Sequence, residues 1–102
     1  MDNSYKNQDL VTLTHTGDEY NKYCNAVVPP IFMNSLHAFD TLEEYYNVDI
    51  YADDQFVYAR DGNPTVHILE RKIAELEHGS RAVVFSSGMA AFSSAVMATC
   101  KA

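Results

Sequence analysis

The chain has no tryptophan, and its 102 residues include only four glycines, three prolines and two cysteines. So little glycine and proline excludes collagen-like and low-complexity chains. Cys24 and Cys100 stand far apart without CxxC spacing, which argues against a disulfide framework and suits a reduced intracellular protein. No apolar run approaches the length of a membrane span, and the start MDNSYKNQDL has no basic segment leading into an apolar one. Neither membrane insertion nor export is expected, and the cytoplasm is the expected compartment. Basic residues are also scarce, seven against 14 acidic ones for a net charge of −7. That field repels nucleic acid and anionic lipid. Any phosphate bound here must be held by local geometry.

Metal ligation is not expected. His15, His37, His67 and His78 show no ligand spacing. The acidic run 49–54 lacks the glycine and terminal glutamate of a calcium loop, so it reads as a solvated loop.

Hydrophobic residues make up 47% of the chain, enough for a modest core. They are unevenly spread. Residues 1–25 are polar apart from Leu10-Val11-Thr12-Leu13 and read as an extended arm. Pro29-Pro30 forbids helix and sets an extended path through Val27 to Met33. Thr41 to Tyr46 starts a short helix, which Asp49, Asp53 and Asp54 dilute into a loop. Phe56-Val57-Tyr58-Ala59-Arg60 is extended by pattern, and Asp61-Gly62 is a turn. Asn63 as N-cap and Pro64 at the first helical position predict a helix, with Val66, Leu69, Ile73 and Leu76 as its apolar stripe and Gly79 as its stop. Ala82-Val83-Val84-Phe85 is a short buried-type strand, Ser86-Ser87-Gly88 a turn, and Met89 to about Thr99 a second, Ala-rich helix. The chain stops where an α/β unit would deliver its next strand, and a lone strand makes no parallel sheet, so it reads as cut.

Two features carry chemistry. Strand–Ser86-Ser87-Gly88–helix places unpaired N–H groups and the positive end of a helix beside small residues, which makes a phosphate cup. In an extended segment Tyr58 and Arg60 share a side and offer a phenol and a guanidinium to one anion. Each has an ordinary alternative. The turn can use Ser and Gly for geometry, and Tyr58 can pack while Arg60 pairs with one of the chain's many carboxylates.

Taken together and in order, Thr14-His15-Thr16-Gly17, Ala26-Val27-Val28-Pro29-Pro30-Ile31, Tyr58-Ala59-Arg60-Asp61-Gly62-Asn63-Pro64-Thr65, Leu69-Glu70, Leu76-Glu77 and Phe85-Ser86-Ser87-Gly88-Met89-Ala90-Ala91 resemble the opening of the trans-sulfuration enzymes of cysteine and methionine metabolism. These include cystathionine synthases and lyases, methionine γ-lyase and homoserine sulfhydrylases. The resemblance implies pyridoxal 5'-phosphate as cofactor and an α/β chain that is the N-terminal fragment of the aspartate-aminotransferase-like fold (PLP fold type I): extended arm, then helix, short strand, helix. It also implies a division into residues 1–55, arm and loop, and residues 56–102, the truncated start of the cofactor-binding domain. By the same resemblance Gly88 and Met89 hold the cofactor phosphate through backbone N–H groups, with Ser87 lining the turn. Tyr58 and Arg60 reach the phosphate of a neighbouring subunit, and the arm, roughly residues 1–39, wraps that neighbour. A homodimer with shared sites, assembling into a tetramer, and a small amino-acid substrate are the implied partners.

The chain departs from the family pattern at Ala59, where Ser or Thr is usual, and at Val66, where Arg is common; Asp61 also stands beside Arg60. The family's Schiff-base lysine lies in a Ser-x-Thr-Lys context that Lys6, Lys22, Lys72 and Lys101 all lack, so no catalytic residue is assigned. The reading is a phosphate-binding and dimer-contact segment of a lyase or transferase that runs β- or γ-elimination or replacement on sulfur-containing or O-activated amino acids, incomplete for catalysis alone. The competing reading is a non-catalytic remnant that at most associates with a full-length homologue.

Overall fold

Asn63-Pro64-Thr65 opens the helix on which most of the tertiary structure is assembled. Asn63 is extended (φ −139°, ψ 131°), and its side-chain oxygen accepts the Thr65 N–H at 2.8 Å. Pro64 follows at the first helical position, where an N–H would have had no partner. In this computed structural model, which describes residues 3–52 and 54–100, four helices occur among the described residues: α1 (Asn3–His15), α2 (Leu42–Tyr46), α3 (Pro64–Leu76) and α4 (Gly88–Thr99). A short 3-10 turn spans Tyr20–Lys22. Met1 and Asp2 of the expected arm, Asp53 of the acidic loop, and Lys101 and Ala102 lie outside the described residues.

The expected helices are present at α2, α3 and α4. Thr41 caps α2 by accepting the Glu44 N–H at 3.1 Å. The end of α3 differs from expectation by one residue. His78, not Gly79, takes the left-handed position (φ 53°), and Gly79 N–H then donates to the Ala74 carbonyl at 2.8 Å, closing the last turn.

Two expectations are corrected. Residues 3–15, read as extended, form helix α1. The stretch contains no glycine or proline, and it gains a surface to lie on, because α1 packs against α3. Composition alone does not report such a tertiary partner. Second, residues 82–85, expected as a strand, carry no regular secondary structure, since β-structure requires a neighbour. The segment is tied instead to α3, where Val84 N–H donates to Glu70 Oε1 at 3.0 Å. Among the described residues the one β-type pairing is an isolated antiparallel bridge, Leu36 to Tyr58.

Polar contacts tie the end of α1 and the residues after it to α3. Lys72 Nζ donates to the Leu13 carbonyl at the C-terminal end of α1, 3.2 Å away, and Thr16 Oγ1 donates to Glu75 Oε2 at 2.6 Å. Glu19 accepts from Lys22 Nζ at 2.6 Å and from Arg71 Nη1 at 3.3 Å. Where the chain leaves α1, Gly17 adopts φ +88° and lies directly on Ile68, so that a Cβ there would collide with Ile68 Cγ2. Thr12, Gly17 and Ala74 are the described residues that are buried. The predicted stripe on α3 is covered in its second half only, for Ile73 and Leu76 are half-buried while Val66 and Leu69 stay exposed. Val27, Val28, Ile31, Met33, Phe92 and Met97 are also exposed. The radius of gyration is 16.4 Å, against about 13 Å for a compact domain of this length. No helix among the described residues is long and apolar enough to cross a membrane.

Two outcomes follow for this contact. Gly17→Ala should lower the free energy of unfolding by about 2 kcal/mol or more, through the left-handed φ and the collision together. Adding Ile68→Ala should recover only the collision part, as read from urea midpoints. The Lys22 hydrogen bond, supported by Arg71 and opposed by partial desolvation, lowers the Glu19 carboxyl below its ordinary 4.5. Its ionised form therefore supports the fold above pH 4.5, and that support is lost as pH falls through the lowered value. The pair is well exposed, so Glu19→Gln should cost under about 1 kcal/mol at pH 7 and nothing at pH 2, again by urea midpoint.

Candidate phosphate-binding site

Residues 35–37 and 57–59 run past each other around the Leu36–Tyr58 bridge. His37 N–H donates to the Val57 carbonyl at 3.0 Å and Ala59 N–H to the Ser35 carbonyl at 2.9 Å. Directly after Tyr58 the backbone turns, with the N–H groups of Asp61 and Gly62 both donating to the Tyr58 carbonyl at 2.9 and 3.1 Å. Tyr58 and Arg60 do meet, although not by the alternation of an extended strand. The turn folds Arg60 back so that its guanidinium carbon sits 4.7 Å from the centre of the Tyr58 ring, a cation–π stack. Tyr58 is half-buried, while the Arg60 side chain is 78% exposed. Asp61 stands beside it, its Oδ1 3.6 Å from Arg60 Nε. A stacked, solvent-facing guanidinium can receive an oxyanion, with the adjacent carboxylate as a weak competitor.

Ser87, Gly88 and Met89 lie at the start of α4, and all three are exposed. Ser87 is extended (φ −148°, ψ 151°), and its hydroxyl accepts the Ala90 N–H at 3.2 Å. The serine is therefore occupied as the helix cap. The N–H groups of Gly88 and Met89 are first-turn donors with no acceptor inside the helix. A Cβ built on Gly88 meets nothing within 4 Å, so the space before these donors is open. Open access, two donors and the positive end of a helix suit a phosphate, and the residues present fit that group.

The two halves do not line a common cavity wall. Arg60 lines a cavity of about 380 Å³ together with Asn63, His67, Glu70 and Arg81, and Ser87, Gly88 and Met89 take no part in its wall. Behind the turn, the Phe56 ring lies between His37 and His67, with centroids 5.6 and 6.1 Å away. A pair of contacts to Phe32 has no counterpart in the sequence expectations. Its N–H donates to Thr65 Oγ1 at 2.9 Å, and its carbonyl accepts from Asn63 Nδ2 at 3.0 Å. Thr65, a hydroxyl at a position where the helix needs none, was the available signal. Among the described residues no group of three or more His, Cys, Asp or Glu side chains gathers to hold a metal.

A profile of the family described as Cys/Met metabolism PLP-dependent enzyme matches residues 11–102. The chain is 40% identical over 91 residues to an L-methionine gamma-lyase of Fusobacterium nucleatum subsp. polymorphum, covering 89% of this chain and 23% of that protein. It is 39% identical over 83 residues to an O-acetyl-L-homoserine sulfhydrylase of Corynebacterium glutamicum, covering 81% and 19%. It is 30% identical over 100 residues to an L-alanine/L-glutamate racemase of Wolbachia pipientis wMel, covering 88% and 25%. The chain thus spans about a quarter or less of the length of these curated relatives. No solved structure matches it.

Neutralising the competitor should be measurable. Asp61→Asn should tighten the binding of inorganic phosphate at Arg60 by up to about fivefold at low salt, and the gain should fade as salt screens the pair. Phosphate titration at two ionic strengths checks both parts.

Proposed function

Since the chain belongs to the family of Cys/Met metabolism PLP-dependent enzymes, we propose that it supplies the phosphate-binding and dimer-contact part of a lyase or transferase acting on sulfur-containing or O-activated amino acids. The family depends on pyridoxal phosphate, and the aspartate-aminotransferase-like fold goes with it. When bound, that cofactor acts as the electron sink for elimination or replacement at the substrate. On this reading Gly88 and Met89 hold the phosphate through their N–H groups, Ser87 keeps the turn open by capping α4, and Tyr58 presents Arg60 to the phosphate of a second subunit. Residues 1–55, with α1 included, form the part that wraps the neighbour, and residues 56–102 begin the cofactor-binding domain. A homodimer of shared sites, its pairing into a tetramer and a cytoplasmic location belong to the same proposal.

The observation that carries this reading is the exposed Arg60 guanidinium held over Tyr58, in a cavity wall to which the start of α4 does not contribute. Two groups suited to a phosphate that share no cavity wall within one chain can serve one phosphate when two chains supply them. The names of the relatives, lyase and sulfhydrylase among them, support the reaction class. No lysine of the chain has the Ser-x-Thr-Lys context, so these residues bind and orient the cofactor but do not carry the covalent step.

In the full-length protein Arg60→Ala should weaken pyridoxal-phosphate binding by about one to two orders of magnitude, the worth of a charge-assisted hydrogen bond. Subunits carrying Arg60→Ala, mixed with subunits lacking the cofactor lysine, should form heterodimers with one doubly defective and one intact site, and activity should return. Mixtures as inactive as both parents, with subunit exchange verified, would show that Arg60 serves its own subunit.

A further inference from the structure

Four hydrogen bonds join residues 32–37 to residues 57–65, and the turn bearing Arg60 lies between them. At one end are the two bonds around the Leu36–Tyr58 bridge. At the other, the backbone of Phe32 is gripped on both sides, its N–H donating to Thr65 Oγ1 and its carbonyl accepting from Asn63 Nδ2. Capping α3 explains only half of this chemistry. The cap needs an acceptor, which Asn63 Oδ1 provides to Thr65 N–H, and Ser or Asp would serve as well. The Nδ2 donor has no part in the cap. Thr65, one residue inside the helix, has no capping duty, yet its hydroxyl is engaged. Phe32, Asn63 and Thr65 are half-buried, so these bonds are partly shielded from water and hold better than exposed ones.

Resting on the phosphate reading above, we infer that Asn63 and Thr65 are positioning residues for the Tyr58–Arg60 pair. They clamp Phe32 so that the turn between the two anchor points presents the guanidinium in one place. An exposed arginine has many rotamers, and ordering it ahead of binding removes part of the cost of capturing an anion. The clamp acts through Arg60 and touches no phosphate itself.

The test is a double-mutant cycle on the dissociation constant of inorganic phosphate, titrated into the full-length apoprotein. Asn63→Asp keeps the capping oxygen and loses the donor to Phe32. Thr65→Val keeps the shape and loses the acceptor without adding charge, which separates lost positioning from repulsion by a new carboxylate. Each should weaken phosphate binding about threefold to tenfold, and neither should weaken it further once Arg60→Ala is present. Hydrogen exchange should quicken in residues 32–37 and 57–62 and stay unchanged in residues 66–76, a pattern that general destabilisation would not give. Equal losses with and without Arg60, or unaltered binding in both clamp variants, overturn the inference while Arg60→Ala still weakens binding. If Arg60→Ala itself binds phosphate as tightly as the unaltered protein, the phosphate reading fails and the inference with it.

Discussion

Helix α3 is the surface against which most of the tertiary contacts are made, and its role depends on the one amide of Asn63. That side chain starts the helix with its oxygen and holds the incoming chain at Phe32 with its nitrogen. Further along, Ile68 receives Gly17, Glu70 receives Val84 N–H, Arg71 meets Glu19, Lys72 reaches the end of α1, and Glu75 accepts from Thr16. With so few buried side chains, the arrangement rests on directional polar contacts more than on apolar area. Directional bonds specify geometry well and contribute modest net stability, which agrees with an open shape that leaves many apolar residues at the surface.

The charge balance sets the terms for the site. A chain of net charge −7 does not draw phosphate by its general field, so capture depends on a few groups placed at short range. Arg60 is stacked on an aromatic ring and already has a carboxylate neighbour, while the donors of α4 carry no side-chain charge and face open space. The two halves are complementary in kind. One offers a cation that can fork onto oxygens; the other offers fixed N–H groups and a helix dipole.

Much of this was legible beforehand because it is encoded within a few neighbouring residues. Asn63-Pro64 announces a helix start through cap chemistry and a fixed φ, and Ser86-Ser87-Gly88 marks the turn that leads into α4. The family resemblance lay in short motifs in a fixed order, and the match over residues 11–102 agrees with it. The misreadings share one cause, which is the absence of a long-range partner from local pattern. Residues 3–15 read as extended because nothing in their composition reports α3. Residues 82–85 read as a strand because their pattern suits one, yet a ladder needs a second chain segment at 4.7–4.9 Å. The stripe named on α3 is covered at Ile73 and Leu76 but not at Val66 and Leu69, because nothing local says how far along the helix a partner will reach.

By itself the sequence determined the starts of α2, α3 and α4, the turn at Asp61-Gly62 and the family, since these depend on short motifs spanning a handful of positions. Only the tertiary structure decided that Tyr58 and Arg60 meet through a turn rather than across a strand, and that Phe32 is held by Asn63 and Thr65. The grip on Phe32 depends on contacts between residues some thirty positions distant, such as Phe32 with Thr65, where loop closure and competition among partners choose the pairing. No local propensity contains that choice.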